Sequence, residues 1–239
     1  MITNAEIKHI RSLREKKYRE ASGEFVVEGE KMVDEAIRSG LELAGIWRTA
    51  DIGENAMSRI SQLSSPSPVL AVLRIPGRTA LPQTLRKELY LALDSVRDPG
   101  NLGTIIRIAD WFGVRTVFAS EDCVDLYNPK VVQATMGAIL RVRIHYAPLA
   151  PLLAGAAARG VAVYGTFLDG EDIYSADLTP GGIVVMGNEG RGVTDAVART
   201  VTRRLFIPPY PAGREGSESL NVAMATGIVC SEFRRRALS

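Results

Sequence analysis

Three short polar stretches in this chain, each directly after an apolar run, hold side chains able to bind an anion, orient a hydroxyl or read a nucleoside. The first is Asp98-Pro99-Gly100-Asn101-Leu102-Gly103, followed by Arg107. The second is Met186-Gly187-Asn188-Glu189-Gly190, and the third runs from Ile207-Pro208 to Ser219-Leu220-Asn221-Val222-Ala223. Asn101 is expected to cap a helix from Leu102 to about Phe112, whose buried stripe is Leu102, Ile105, Ala109 and Phe112. Arg107 falls on another face. There it either pairs with Asp110 three residues on, or offers a planar guanidinium to a phosphate or hydroxyl. In the second block glycines flank one carboxylate, so the backbone can turn sharply and present its N–H and C=O groups to a ligand. Glu189 is read there as either a ligand contact or a helix cap. In the third, Ser219 is expected to cap a helix reaching Arg236, and Asn221, a mediocre helix former, is left in the first turn without a capping reason.

Other chemistries lack their residues. The two cysteines, Cys123 and Cys230, and the two histidines, His9 and His145, are isolated in sequence, which argues against a zinc site, a disulfide framework or a Cys-His or Ser-His-Asp nucleophile. No Gly-x-Gly-x-x-Gly follows the first strand and no Gly-x-x-x-x-Gly-Lys-Ser/Thr occurs, so neither dinucleotide nor triphosphate binding has its usual signature.

The elements that must position these blocks follow from periodicity. From Glu88 onward, apolar runs at Leu89 to Leu93, Thr116 to Ala119, Val142 to Tyr146, Val161 to Thr166, Ile183 to Met186 and Leu205 to Ile207 alternate with helical segments. Strands apolar on both faces predict a parallel sheet covered by helices on both sides, with ligands beyond its carboxyl ends. Before this lies a smaller α/β unit. It comprises a helix over 4–20 capped by Asn4, a strand at Glu24 to Gly29, a helix with Met32, Val33, Ala36 and Ile37 inward, and strands at Leu43 to Trp47 and Val69 to Ile75. Pro76 to Pro82 reads as the hinge.

The 239 residues are 46% hydrophobic and 23% charged, the composition of a globular protein with a sizeable core. The net charge of +2 is too small to argue nucleic-acid binding by itself, but basic residues gather in residues 1 to 20, including Lys16, Lys17 and Arg19, and at Arg234-Arg235-Arg236. Both clusters read either as solvated helix faces or as phosphate contacts. Without a signal-peptide pattern or an apolar run of membrane-spanning length, a cytoplasmic location is expected.

The three blocks, in content, order and distance from the chain end, resemble the three motifs of the SpoU (TrmH-like) branch of the SPOUT RNA methyltransferases. The stretch Phe25-Val26-Val27-Glu28-Gly29 with the helix from Val33 to Ile37 is similar to the L30e-like RNA-binding domain that precedes the catalytic domain in many members. The resemblance implies domains over 1–78 and 86–239, a C-terminal trefoil knot, and transfer of methyl from S-adenosylmethionine to a ribose 2′-hydroxyl. The expected target is 23S rRNA; transfer RNA, or a non-catalytic dimeric RNA binder, is the alternative. It further implies a homodimer without metal, an adenosyl site near Thr166, Gly187, Ile207 and Leu220, and a reacting centre lined by Asn101, Arg107, Glu189, Ser219 and Asn221. One departure stands out: Pro208 to Glu218 is longer than the usual connection, which bears on the contacts expected of Ser219 and Leu220.

Overall fold

A computed structural model describes residues 2–77, 81, 85, 88–211 and 219–237. Most of the expected hinge over 76–82 and the long connection over 212–218 lie outside the described residues.

The chain divides into two compact units, residues 1–78 with 125–141, and residues 79–124 with 142–239. In the first, α1 (Asn4–Ser12) and α2 (Lys16–Ser22) precede β1 (Glu24–Glu28), α3 (Glu30–Arg38), β2 (Leu43–Arg48), α4 (Thr49–Ile52), α5 (Glu54–Ile60) and β3 (Val69–Arg74). The expected single helix over 4–20 is thus two. Thr3, not Asn4, caps α1: its hydroxyl accepts from the Glu6 N–H while the Glu6 carboxylate accepts from the Thr3 N–H. Gly23, at φ 67°, closes α2 in the left-handed conformation that glycine adopts without a Cβ penalty.

The three strands make an antiparallel sheet with β3 central, in register Val26↔Val72 and Ile46↔Ala71. Ile7, Ile10 and Leu13 pack with Met57 and Ile60 over Val26, Leu70 and Val72. The segment 125–141 joins this unit through Tyr127, whose ring lies 4.7 Å from that of Phe25.

The second unit carries β4 (Leu89–Leu93), the helix α6a (Pro99–Trp111), β5 (Thr116–Ala119), then, in the first unit, the short helix α6b (Pro129–Ala134), and again in the second β6 (Arg143–Tyr146).

 The rest of the second unit is α7 (Leu149–Ala158), β7 (Val163–Asp172), β8 (Gly182–Met186), α8 (Asp195–Ala198), β9 (Arg203–Phe206) and α9 (Val222–Ala237).

Its six strands form one parallel sheet in the order β6-β5-β4-β8-β7-β9. Every residue of β4 and β8 is buried, as the unbroken apolar runs required. Tyr90, Ala92, Ile183 and Val185 meet Leu153 and Ala156 of α7 and Val197 of α8 on one face. The alternate residues point to the other face, where Phe233 of α9 meets the Tyr164 ring edge-on at 5.0 Å. α6a packs beside α9 on that side. Sheet order places the carboxyl ends of β4 and β8 side by side, with β7 and then β9 beyond them.

Candidate functional site

The first and third blocks are placed by helix capping, from residues three and two positions away from the expected ones. Asp98, not Asn101, caps α6a: its carboxylate accepts from the Asn101 N–H at 2.8 Å, and Pro99 takes the first helical position, where its missing N–H costs nothing. Asn101 therefore sits in the first turn with its amide free for other partners. Asn221, not Ser219, caps α9: its Oδ1 accepts from the N–H groups of Ala223 (3.0 Å) and Met224 (3.3 Å). Capping thus explains why an asparagine stands there.

The two amides meet. Asn221 Nδ2 donates to Asn101 Oδ1 at 2.9 Å, and Asn101 Nδ2 donates to Glu189 Oε1. One residue from each block is thereby joined in a continuous chain of side-chain hydrogen bonds at the carboxyl edge of the sheet. Because Asn101 uses both ends of its amide, its orientation is fixed, and the half-buried Glu189 carboxylate is held at this edge as a hydrogen-bond acceptor.

The turn carrying Glu189 is built by Asn188, a residue that sequence reasoning passed over. Its Nδ2 donates to the Ser95 carbonyl (2.9 Å), and its Oδ1 accepts from the N–H groups of Gly190 (3.0 Å) and Arg191 (3.1 Å). An Asn between two glycine-flanked positions is a signal for such a side-chain-closed turn. Gly187 is required by the same turn: a Cβ there would lie 2.4 Å from the Gly192 carbonyl carbon. At the end of β4, buried Asp94 accepts from the Thr194 N–H (2.7 Å) and hydroxyl (2.8 Å), which secures the far side of the turn.

The other expected residues are dispersed around this chain of bonds. The Thr166 hydroxyl donates to the Val185 carbonyl at 3.5 Å, beside Gly187. Ile207 follows β9 and is half-buried. Leu220 is apolar yet 49% exposed, and Ser219 is exposed beside it. Arg107 is exposed on α6a and engages no other described residue, so the alternative pairing with Asp110 is not made. One helical turn further on, Trp111 is 85% exposed.

Neither basic cluster matches its expected alternatives in full. Arg19 is 3% exposed: its guanidinium meets Asp125 at 2.5 Å and donates to the carbonyls of Leu13 and Arg14, both at 2.8 Å. It is an internal tie, while Lys16 and Lys17 are exposed beside Glu20 and Glu15. At the other terminus, Arg234 donates to the Phe112 and Gly113 carbonyls, and Arg236 to those of Ile173, Tyr174 and Ala176. Arg235 and Arg236 both pair with Glu232. These bonds hold the Glu232 carboxyl down at about 2. Arg234 and Arg236 fasten α9 to its own unit.

A parallel sheet of this order, with hydrogen-bonded polar turns at its carboxyl edge, is the architecture of SPOUT methyltransferases. The chain belongs to the SpoU rRNA methylase family, whose profile matches residues 88–231. A second profile, the MRM3-like substrate binding domain, matches residues 4–63. Among solved structures, a TrmH-family protein from Porphyromonas gingivalis is 41% identical, with TM-score 0.88 and 99% of each chain covered. An AdoMet-bound rRNA methyltransferase from Sinorhizobium meliloti is 33% identical, with TM-score 0.86, covering 100% of this chain and 97% of that one. Among curated relatives, the Bacillus subtilis 23S rRNA (guanosine(2553)-2′-O)-methyltransferase RlmP is 30% identical over 97% of this chain and 96% of its own length.

Proposed function

We propose that the protein methylates a ribose 2′-hydroxyl of 23S rRNA with S-adenosylmethionine as donor. The observation that carries this reading is the bonded chain Asn221–Asn101–Glu189, which draws all three motif blocks to one edge of the sheet. The AdoMet-bound relative and the rRNA methyltransferase relatives support donor and substrate class.

The residues present suit an adenosyl group. Leu220, apolar and half exposed, offers a wall with an uncovered face, and half-buried Ile207 offers a second. Thr166 and the backbone turn that starts at Gly187 supply polar edges. These four residues would hold the cofactor, which supplies an electrophilic methyl group on a sulfonium centre. Asn101, Glu189, Ser219 and Asn221 would shape the place where the ribose oxygen approaches. The carboxylate of Glu189 also favours a cationic centre nearby.

Arg107 has the part that demands a free cation. A guanidinium offers only donors and is a poor proton acceptor, so Arg107 positions an RNA phosphate and stabilises negative charge developing on the ribose oxygen. We further assign residues 1–78 to RNA gripping, residues 86–239 to catalysis through a knotted C-terminal region, and assembly to a homodimer. The dimer is supported by an open groove of about 480 Å³ lined by Ile108, Tyr174, Met224, Gly227 and Ile228, and by the exposed Trp111 three residues on from Ile108 in α6a. Arg107 shares the exposed stripe of α6a with Trp111, which puts it beside that face.

The test is transfer of labelled methyl from S-adenosylmethionine to total RNA of a strain lacking the protein, followed by mapping of ribose methylation. A new 2′-O-methyl nucleotide in 23S rRNA is the expected result. A site in transfer RNA would replace the substrate, and cofactor binding without transfer to RNA or ribosomal particles would replace the activity by RNA binding alone.

A further inference from the structure

Ser95, two positions past the end of β4, has φ 61°; it and Met136 are the non-glycine residues with positive φ among those described. A side chain in the left-handed region crowds its own backbone, and such a conformation persists only where the surroundings impose it. Here they do. The Ser95 N–H donates to Ser120 Oγ (2.8 Å), and the Ser95 hydroxyl donates to Asp122 Oδ2 (2.7 Å). The Ser120 hydroxyl donates to Asp122 Oδ1, and Arg97 donates to Oδ2, both at 2.7 Å. One carboxylate therefore collects three donors and grips Ser95 directly through its hydroxyl and, through Ser120, by its N–H.

The bend is useful at its other side. Its carbonyl accepts from Asn188 Nδ2, and Asn188 closes the turn that carries Glu189. Glu189 in turn fixes Asn101. We propose that Asp122 is a positioning residue for methyl transfer: by clamping Ser95 in the left-handed conformation it aims the Ser95 carbonyl at Asn188 and so sets Glu189 against Asn101. The proposal rests on the reading of this edge as the methyl-transfer site. A purely structural role is a poor explanation, since β5 is already held by its ladder to β4 (Leu93↔Ala119), and the Asp122 side chain is 44% exposed. The hydrogen bonds from Ser120 and Arg97 hold the Asp122 carboxyl down at about 2, so the clamp stays charged throughout the working pH range.

The experiment compares D122A with D122A/S95G, because glycine adopts a positive φ without a clamp. D122A is expected to lower kcat for RNA methylation about tenfold, since small misplacement of reacting groups costs that much or more, with cofactor affinity and the KM for RNA within about twofold of wild type. D122A/S95G is expected to recover most of the loss. The same pair is followed by NMR of the Asn188 side-chain amide, whose protons should exchange faster in D122A and be protected again in the double variant. Wild-type turnover in D122A, or a double variant as impaired as D122A, overturns the proposal. If D122A fails to fold, S95A and S95G decide it: S95A removes only the hydroxyl and should be the slower, and equal rates overturn the clamp. Absence of methyl transfer by the wild-type protein counts against the proposed reaction instead. Amide exchange then decides the clamp alone, and unchanged protection of Asn188 in D122A overturns it.

Discussion

Two sets of polar side chains in this protein use the same residue types to opposite ends. In the first unit Arg19 is sealed away, its charge matched by Asp125 and its Nη1 turned to the carbonyls of Leu13 and Arg14, while its Nε is buried without a partner among the described residues. Glu28, also buried, accepts from the Ser61 hydroxyl and the Gln62 N–H, and burial still raises its carboxyl above the usual value. At the carboxyl edge of the second unit, Asn101, Glu189 and Asn221 bond to one another but remain partly open, and Arg107 is left without a described partner. The charged groups of this internal set find their partners within the fold itself. Those at the edge are oriented by the fold and still have capacity for something outside it.

The sharpest way to break this contrast is Arg107→Ala. If the free guanidinium serves chemistry, methyl transfer should fall about 10²- to 10³-fold, while cofactor affinity by calorimetry and thermal stability stay close to wild type. Equal loss of cofactor binding would return Arg107 to the structural set. Next in size, Arg19→Met should destabilise the first unit by about 2–4 kcal/mol in a denaturant titration, because Asp125 and two carbonyls lose their donor. A change below about 0.5 kcal/mol would show that the tie is dispensable.

Asn221 belongs to both sets, as helix cap and as donor to Asn101, and Asn221→Asp separates the two. An aspartate keeps the acceptor that caps α9, so stability should stay within about 0.5 kcal/mol, but it cannot donate to Asn101 Oδ1. Turnover should fall about tenfold or more, measured beside a thermal melt. Asn221→Ala should in addition lose about 1 kcal/mol.

Lys16→Glu with Lys17→Glu should weaken RNA binding and lower the slope of log affinity against log salt by about 1 to 2, with folding unaffected. An unchanged slope would leave both lysines as solvated surface. The smallest effect is expected at Glu232. Its folded-state carboxyl, near 2, lies below the ordinary 4.5, so the contribution is present above about pH 4.5 and is lost as pH falls toward 2. Glu232→Gln should therefore cost about 1 kcal/mol or less at neutral pH, given solvent screening of its arginine partners, and nothing near pH 2. Acid denaturation curves of the two proteins should converge there.

The parallel sheet was legible because β4 and β8 are buried on both faces, which leaves an unbroken apolar run in the sequence. Helix starts were less so. Asp98 and Asn101 are both good caps three residues apart, and only the proline at the first helical position separates them; Ser219 and Asn221 posed the same choice without a proline. The helix expected over 4–20 breaks after Ser12 although its apolar spacing continues to Leu13, since spacing records which side is buried and not where the axis turns.

The sequence by itself determined the strands, the layered α/β class and the three polar blocks, because burial and turn chemistry act over a few residues and leave local patterns. It also carried the family resemblance. Tertiary structure alone decided that 125–141 joins the first unit, that Arg19, Arg234 and Arg236 are internal ties, and that Asn188 builds the Glu189 turn. It alone joined Asn101 to Glu189, 88 positions away, and to Asn221, 120 positions away. Hydrogen bonds across such separations depend on which strand ends the sheet order makes neighbours, and no local pattern encodes that order.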